Sequence, residues 1–209
     1  MAWTPVGSIT LVSGTKTISV SPTAIGDILV LCIGSNGAAI YASAVVGGGV
    51  TTWIKSASGG STGFDGSAEV WFGVVTATGS SSITITTAAT AADTGLAVQQ
   101  VHCPIPGVFT PGASDSTPIT GGVSGGIAVP PVTGIELAVV ALIYQGNPLT
   151  LSGSGWSITN SSGIFDVAFN YSTGGSIALT YSDPNSYGGF AIASLILPPK
   201  PSGGFFLCT

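Results

Sequence analysis

Hydrophobic positions along this chain fall into short runs and period-two alternations, separated by Gly, Ser, Thr and Asn. That is the spacing of strands and turns. The run GDILVLCI, Gly26 to Ile33, reads as a buried strand, and GIELAVVALIY, Gly134 to Tyr144, repeats its design of glycine, one acidic residue and an apolar stretch of strand length. After each comes a Gly-rich segment ending at a tryptophan, Trp53 in the first case and Trp156 in the second. An alternating strand with aromatics follows, AEVWFGVVTATGSSSITIT and then DVAFNYSTGGSIALTYS, and each half closes on glycine and an apolar strand, GLAVQQV from Gly95 and GFAIASLIL from Gly189. The pattern predicts two similar β-rich half-units.

Further strands follow from the same rule. Ser8 to Val12 and Lys16 to Val20 are predicted as short strands joined by a Ser-Gly turn, and Gly34 to Gly49 as a long loop or weak strand pair. Val70, Phe72 and Val74 point one way while Glu69, Trp71 and Val75 point the other, so this strand carries large groups on both faces and belongs inside a sandwich or under a subunit contact. Ile83 and Ile85 face inward in a clean alternation, and Phe165, Val167, Phe169 and Tyr171 do the same in the second half. No stretch repeats its apolar residues every 3.6 positions between caps, so no long helix is predicted. Each half has too few strands to cover its own apolar face, and stacking two sheets removes that exposure. The expected fold is therefore all-β, a two-sheet antiparallel β-sandwich, jelly-roll-like, in one compact domain. Its parts are a half-unit over 1–103, a Pro/Gly/Ser crossover over 104–126, a half-unit over 127–199 and a tail over 200–209.

Composition narrows the surface chemistry. Only 5% of the 209 residues are charged and mean hydropathy is +0.62, against about 25% charged in ordinary domains. A surface so poor in charge is expected to be hidden in an assembly or covered by Ser, Thr and Gly. There is no arginine, only three lysines, and the net charge is −5, which supplies no basic footprint for nucleic acid. The apolar pieces of 28–50 are strand-sized and broken by glycines, so membrane insertion is not expected. MAWTPVGS lacks the pattern of a secretory signal, which makes the cytoplasm the expected site of synthesis and the Asn160 and Asn170 sequons chance matches. Cys32, Cys103 and Cys208 are widely spaced, and Cys32 is expected to pack as a small hydrophobe.

Little chemistry is visible. His102 is the only histidine, and a rim or structural role is expected for it. Its neighbour Cys103 points to the opposite side of a strand, which argues against a local Cys-His dyad. Asp65, Asp115 and Asp183 sit in turn contexts, Asp27 and Glu136 begin strands, and a glycosidase would need two acids at roughly 5–9 Å. FDGSAE and SDPNS lack EF-hand spacing. No catalytic, cofactor-binding or metal-binding residue is assigned, and no cofactor is expected. Trp53, Trp71 and Trp156 are expected as core or sheet-edge packing, with an aromatic sugar platform as the alternative.

The order AWTPVGSITLVSG, GDILVLCI, a tryptophan after Gly and Thr, AEVWFGVVTATGSSSITIT and a terminal AIASLILPP resembles β-sandwich virion proteins of tailed phages, especially actinobacterial ones, whose members are minor tail proteins or capsid decorations. The chain departs from them in having no arginine and in its FFLCT ending. The resemblance implies a non-enzymatic structural subunit located in the virion, with other copies of itself and other virion proteins as partners. Trp3, Phe205, Phe206 and Leu207, apolar residues near the two ends, are the expected partner contacts. The competing expectation is a carbohydrate-binding or adhesive module that holds a cell-surface glycan on loop aromatics such as Tyr41, Tyr144 and Tyr187.

Overall fold

The computed structural model describes residues 3–37, 40–60, 66–104, 110–115, 118–119, 125–129, 135–145, 150–160, 165–171, 177–182 and 187–197. These residues are all-β apart from one 3-10 turn at Ala91–Asp93, and every described strand pairing is antiparallel. The first half contains β1 (Thr4–Ser13), β2 (Thr17–Val20), β3 (Ile28–Asn36), β4 (Ala42–Gly47), β5 (Val50–Gly60), β6 (Gly66–Val75), β7 (Ser81–Thr87) and β8 (Thr94–His102). They form one eight-stranded sheet in the order β1-β8-β3-β6-β5-β4-β7-β2.

The sheet curls on itself. Ile18 of β2, Val45 of β4, Ile83 and Ile85 of β7 and Leu96 and Val98 of β8 share one core with Leu29, Leu31 and Trp71. Right-handed twist accumulated over eight strands brings the two ends of the sheet toward each other. The first half-unit is thus a near-barrel rather than a plain two-sheet sandwich or jelly roll. The expected β1 and β2 are joined by a tight turn but do not pair with each other, because β1 hydrogen-bonds to β8 and β2 to β7. They form the two edges of the sheet and leave a seam between them.

The second half comprises β9 (Thr110–Asp115), β10 (Pro118–Ile119), β11 (Gly125–Val129), β12 (Ile135–Gln145), β13 (Thr150–Ser152), β14 (Ser157–Asn160), β15 (Phe165–Asn170), β16 (Ile177–Ser182) and β17 (Tyr187–Leu197). Part of 104–126 is therefore strand, since β9 and β10 pair with β17 and β11 with β16. The order β9/β10-β17-β12-β15-β14 followed by β13-β16-β11 repeats β1-β8-β3-β6-β5 followed by β4-β7-β2. Only the link between β14 and β13 is missing among the described residues, and its counterpart, β5 to β4, is the single pair Gly47↔Val50. The tryptophans hold matching places. Trp53 pairs with Gly73 of β6, while Trp156 precedes Ser157, the partner of Phe169, and so falls opposite Asn170 of β15.

A second core lies between the halves. Ile28, Val30, Cys32, Val70, Phe72 and Val101 meet Leu137, Val139, Ile143, Phe165, Val167 and Phe169 there. Strands β3, β6 and β8 are consequently buried on both faces, one lining the near-barrel and the other packed on the second half. That explains why ILVLCI is a continuous apolar run in an antiparallel sheet, where one wet face would impose alternation. The two-faced β6 sits under a contact, as its pattern required, and the contact is internal to the chain.

Candidate functional site

Polar side chains in the first half gather at the two ends of the near-barrel. At one end, Gly26 adopts φ 90°, and its N–H donates to Val75 O while Val75 N–H donates to Asp27 O, fixing the start of β3. The pairing Ile28↔Val101 then sets Asp27 beside His102, the last residue of β8. His102 Nδ1 lies 2.9 Å from Asp27 Oδ1, and Gln100 Nε2 donates to Asp27 Oδ2 at 2.6 Å and to Thr23 Oγ1 at 3.1 Å. Thr23 N–H donates to Gln100 Oε1 at 3.2 Å, tying the segment after β2 to β8 across the seam. The Asp27 side chain is 4% exposed and that of His102 is 54% exposed.

A carboxylate holding a histidine is two-thirds of a nucleophilic triad. The hydrogen bond described for the His102 ring runs to Asp27, and the neighbouring Cys103 is fully buried. The network satisfies a buried carboxylate and pins a strand end.

At the other end, Glu69 of β6 is 1% exposed and pairs with Lys55 Nζ of β5 at 2.5 Å. Its other oxygen accepts from Ala42 N–H at 3.0 Å and Trp71 Nε1–H at 3.3 Å. Lys55 also donates to Ala42 O and lies 5.3 Å from the Tyr41 ring centre and 5.0 Å from that of Trp71. Burial first, and then the Glu69 charge, raise the Tyr41 hydroxyl above its ordinary range. This cluster ties residues 41 and 42 across the mouth of the near-barrel.

Asp27 stands before Ile28 and Glu69 pairs with Ile33. At about 3.4 Å per residue the six positions from Asp27 to Ile33 set them roughly 20 Å apart, beyond the separation of a glycosidase pair. Asp166 occupies in β15 the place that Glu69 holds in β6, each four residues before the position facing the tryptophan. Ile158 opposes Ala168 where Lys55 opposes Trp71. The second half therefore keeps the buried acid and replaces the lysine by an aliphatic side chain.

The seam between β1 and β2 holds a groove of about 160 Å³, with Val20, Leu29 and Val98 as its floor and Val6, Ser8 and Ser21 on its banks. β1 is bulged here, its register jumping between Val6↔Gln100 and Thr10↔Val98. Gln99 Nε2 donates to Val6 O at 3.1 Å and so satisfies a carbonyl freed by the bulge.

Trp71 is 7% and Trp156 9% exposed, and Trp53 is partly buried with its Nε1–H on Gly47 O. They form no exposed aromatic platform. Trp3, expected as a partner contact, is 1% exposed in the core between the halves. The pairing Thr4↔His102 draws the residue before β1 against buried Cys103, which puts the indole inside the fold. Phe205, Phe206 and Leu207 lie outside the described residues, as do the side chains of Tyr144 and Tyr187. Asn170 of the second sequon is 3% exposed, closed to a glycan. Among the described residues, no three His, Cys, Asp or Glu side chains converge as a metal site, and no helix is long and apolar enough to cross a membrane.

Two signals for these clusters stand in the sequence. Gln100 and His102 share a strand face by period two, and Glu69 interrupts a strand that is apolar on both sides. Their partners, Asp27 and Lys55, come from strands whose adjacency the sequence does not state. No protein family, curated protein or solved structure matches this chain.

Proposed function

We propose that this chain is a non-enzymatic structural subunit that assembles with copies of itself and with other proteins, and, on the resemblance of its motifs, that the assembly is a tailed-phage virion in which it serves as a minor tail or capsid-decoration subunit. One observation carries the reading. Among the described side chains, three of the six Asp, Glu and Lys are spent inside the fold, with Asp27, Glu69 and Asp166 at 3%, 1% and 0% exposure. Among the side chains described, Lys16, Asp93, His102 and part of Lys55 are what remains to keep the surface wet. Ile25, Val46 and Ile54 stand exposed at 67%, 58% and 45%. A surface of this kind favours burial against other subunits over free diffusion. The strand order of the near-barrel recurs in the second half, with one core inside the near-barrel and another joining the halves, and such a block is suited to repetition in an assembly.

Two measurements test it. Sedimentation of the purified full chain over a concentration series is expected to show self-association, and a monomer at every concentration counts against assembly. Quantitative mass spectrometry of purified virions from a source encoding the chain is expected to find it in fixed copy number, and its absence from the particle overturns the virion assignment. Specific glycan capture by a monomeric chain would install the adhesive reading instead.

A further inference from the structure

The seam between β1 and β2 is where the near-barrel fails to close. Its groove holds about 160 Å³, and a cavity of roughly 150 Å³ lined by aliphatic side chains accepts one benzene ring. Unlike that closed aliphatic cavity, the groove is open on one side and its lining is more polar than apolar, so Val20, Leu29 and Val98 offer the ring an apolar contact while Ser8, Ser21 and Gln100 offer hydrogen bonds to the backbone that carries it. Drug-sized ligands require several hundred Å³, so the size selects a single aromatic side chain. The bulge in β1 breaks the regular edge that an added strand would need, which again favours a knob over a long β-pairing.

The chain carries such a knob. Beyond Leu197, the end of β17, the sequence PPKPSGGFFLCT places Phe205 and Phe206 after a Gly-Gly pair. Residues 198–204 bridge from Leu197 to Phe205, a span of up to about 28 Å at ~3.5 Å per residue. A domain of this length has a radius of gyration of only about 17 Å. A span longer than that radius gives the segment the length to lie across the surface of its own chain or of an adjacent copy.

We propose that the groove between β1 and β2 is the receptor for the segment Gly204–Thr209, with a ring of Phe205 or Phe206 seated over Val20, Leu29 and Val98. Docked in its own chain the segment plugs the seam; docked in a neighbour it links subunits. The inference rests on the groove and the sequence of that segment and stands whether or not the chain belongs to a virion.

Cys208 makes the test direct, because Cys32 and Cys103 are both 0% exposed and do not compete. Ser8→Cys and Ser21→Cys each place a thiol on one bank of the groove. Thr52→Cys places one at an exposed position of β5, midway round the sheet from the seam. Each full-length variant is oxidised with diamide and mapped by non-reducing peptide mass spectrometry. Docking raises the effective thiol concentration from micromolar toward millimolar, so at least one bank is expected to couple to Cys208 about tenfold or more above the Thr52 variant. Coupling should be lost when Phe205→Ala and Phe206→Ala are added. A monomeric product assigns docking within one chain, and a dimeric product assigns it between copies. Hydrogen exchange of residues 4–12 and 17–22 covers a docked geometry that keeps the sulfurs apart, since the double alanine variant should then exchange faster there than the unmodified chain. Bank coupling no higher than at Thr52, together with unchanged exchange, overturns the proposal.

Discussion

Replacing Gly34 by alanine probes whether the two halves pack as described. Gly34 of β3 and Gly95 of β8 are register partners, and together they make a bare patch in the sheet. The ring of Phe165, the first residue of β15 and fully buried, lies against it. A Cβ on Gly34 would stand 2.4 Å from Phe165 Cδ2, 2.8 Å from Cε2 and 3.1 Å from Ile143 Cδ1, whereas carbon atoms rest at about 3.5–4.0 Å. The ring must move by more than about 1 Å in a core packed like a crystal. Overpacking of this kind costs about 1–3 kcal/mol. The backbone at Gly34 is not left-handed, so alanine also gains about 0.4–1 kcal/mol by restricting the unfolded chain. The clash wins, with a net loss of about 1–2 kcal/mol.

The sharper prediction is a change of sign. Phe165→Ala alone should cost about 3–5 kcal/mol, and it removes the two closest atoms that Gly34→Ala would strike, leaving Ile143 Cδ1 with room to move into the vacated space. In that background Gly34→Ala should be neutral or stabilising by up to about 1 kcal/mol, giving a coupling of roughly 1–3 kcal/mol. Urea unfolding of the four proteins, followed by tryptophan fluorescence, measures it. If Gly34→Ala costs the same with and without Phe165, the ring is not seated on the glycine pair and the described packing between the halves is wrong.

Other consequences concern buried charge and buried thiols. Lys55→Met should cost about 2–3 kcal/mol, below the usual 3–5 for stranding a buried partner, because the Lys55 side chain is 32% exposed. Adding Glu69→Gln should restore at least half of that loss, and a double variant less stable than Lys55→Met shows that the carboxylate is not stranded. Burial holds the Cys32 thiol far above its usual range, so native chain treated with iodoacetamide at pH 8 should be modified at Cys32 only after denaturation. Modification at the native rate of an exposed thiol refutes its burial. Tyr171 is raised as well, by burial first and then by Cys32. Both groups favour the neutral form in the fold, so their contribution is fully present below their ordinary values of 9.0 and 10.0 and is lost as pH rises above them. Urea-derived stability should therefore fall above about pH 9, and Cys32→Val with Tyr171→Phe should flatten the fall; an equally steep decline in that variant assigns it elsewhere.

Apolar runs of strand length located β3, β8 and β17, and period-two alternation located β6, β7 and β15 and identified which of their side chains point together, because a strand's two faces follow from its backbone and from nothing else. The repeat of Gly26–Ile33 in Gly134–Tyr144 was readable for the same reason, and so was the pairing of Trp53 with Trp156 as equivalent positions. His102 at a strand end needed only its place before Pro104. What the pattern left open was partnership. The hydrogen-bonding groups of a strand edge are the same for every sequence, so nothing local told β1 to pair with β8 and β2 with β7 across a tight turn that suits a hairpin. That choice curls the sheet into a near-barrel, opens the seam and its groove, and draws Trp3 inward. Asp27 meets His102, and Lys55 meets Glu69, only after residues distant in sequence have been brought into register. A strand's faces are fixed by neighbouring bonds along the chain, whereas its neighbours are fixed by which distant apolar faces bury the most surface together, and that is a property of the whole fold.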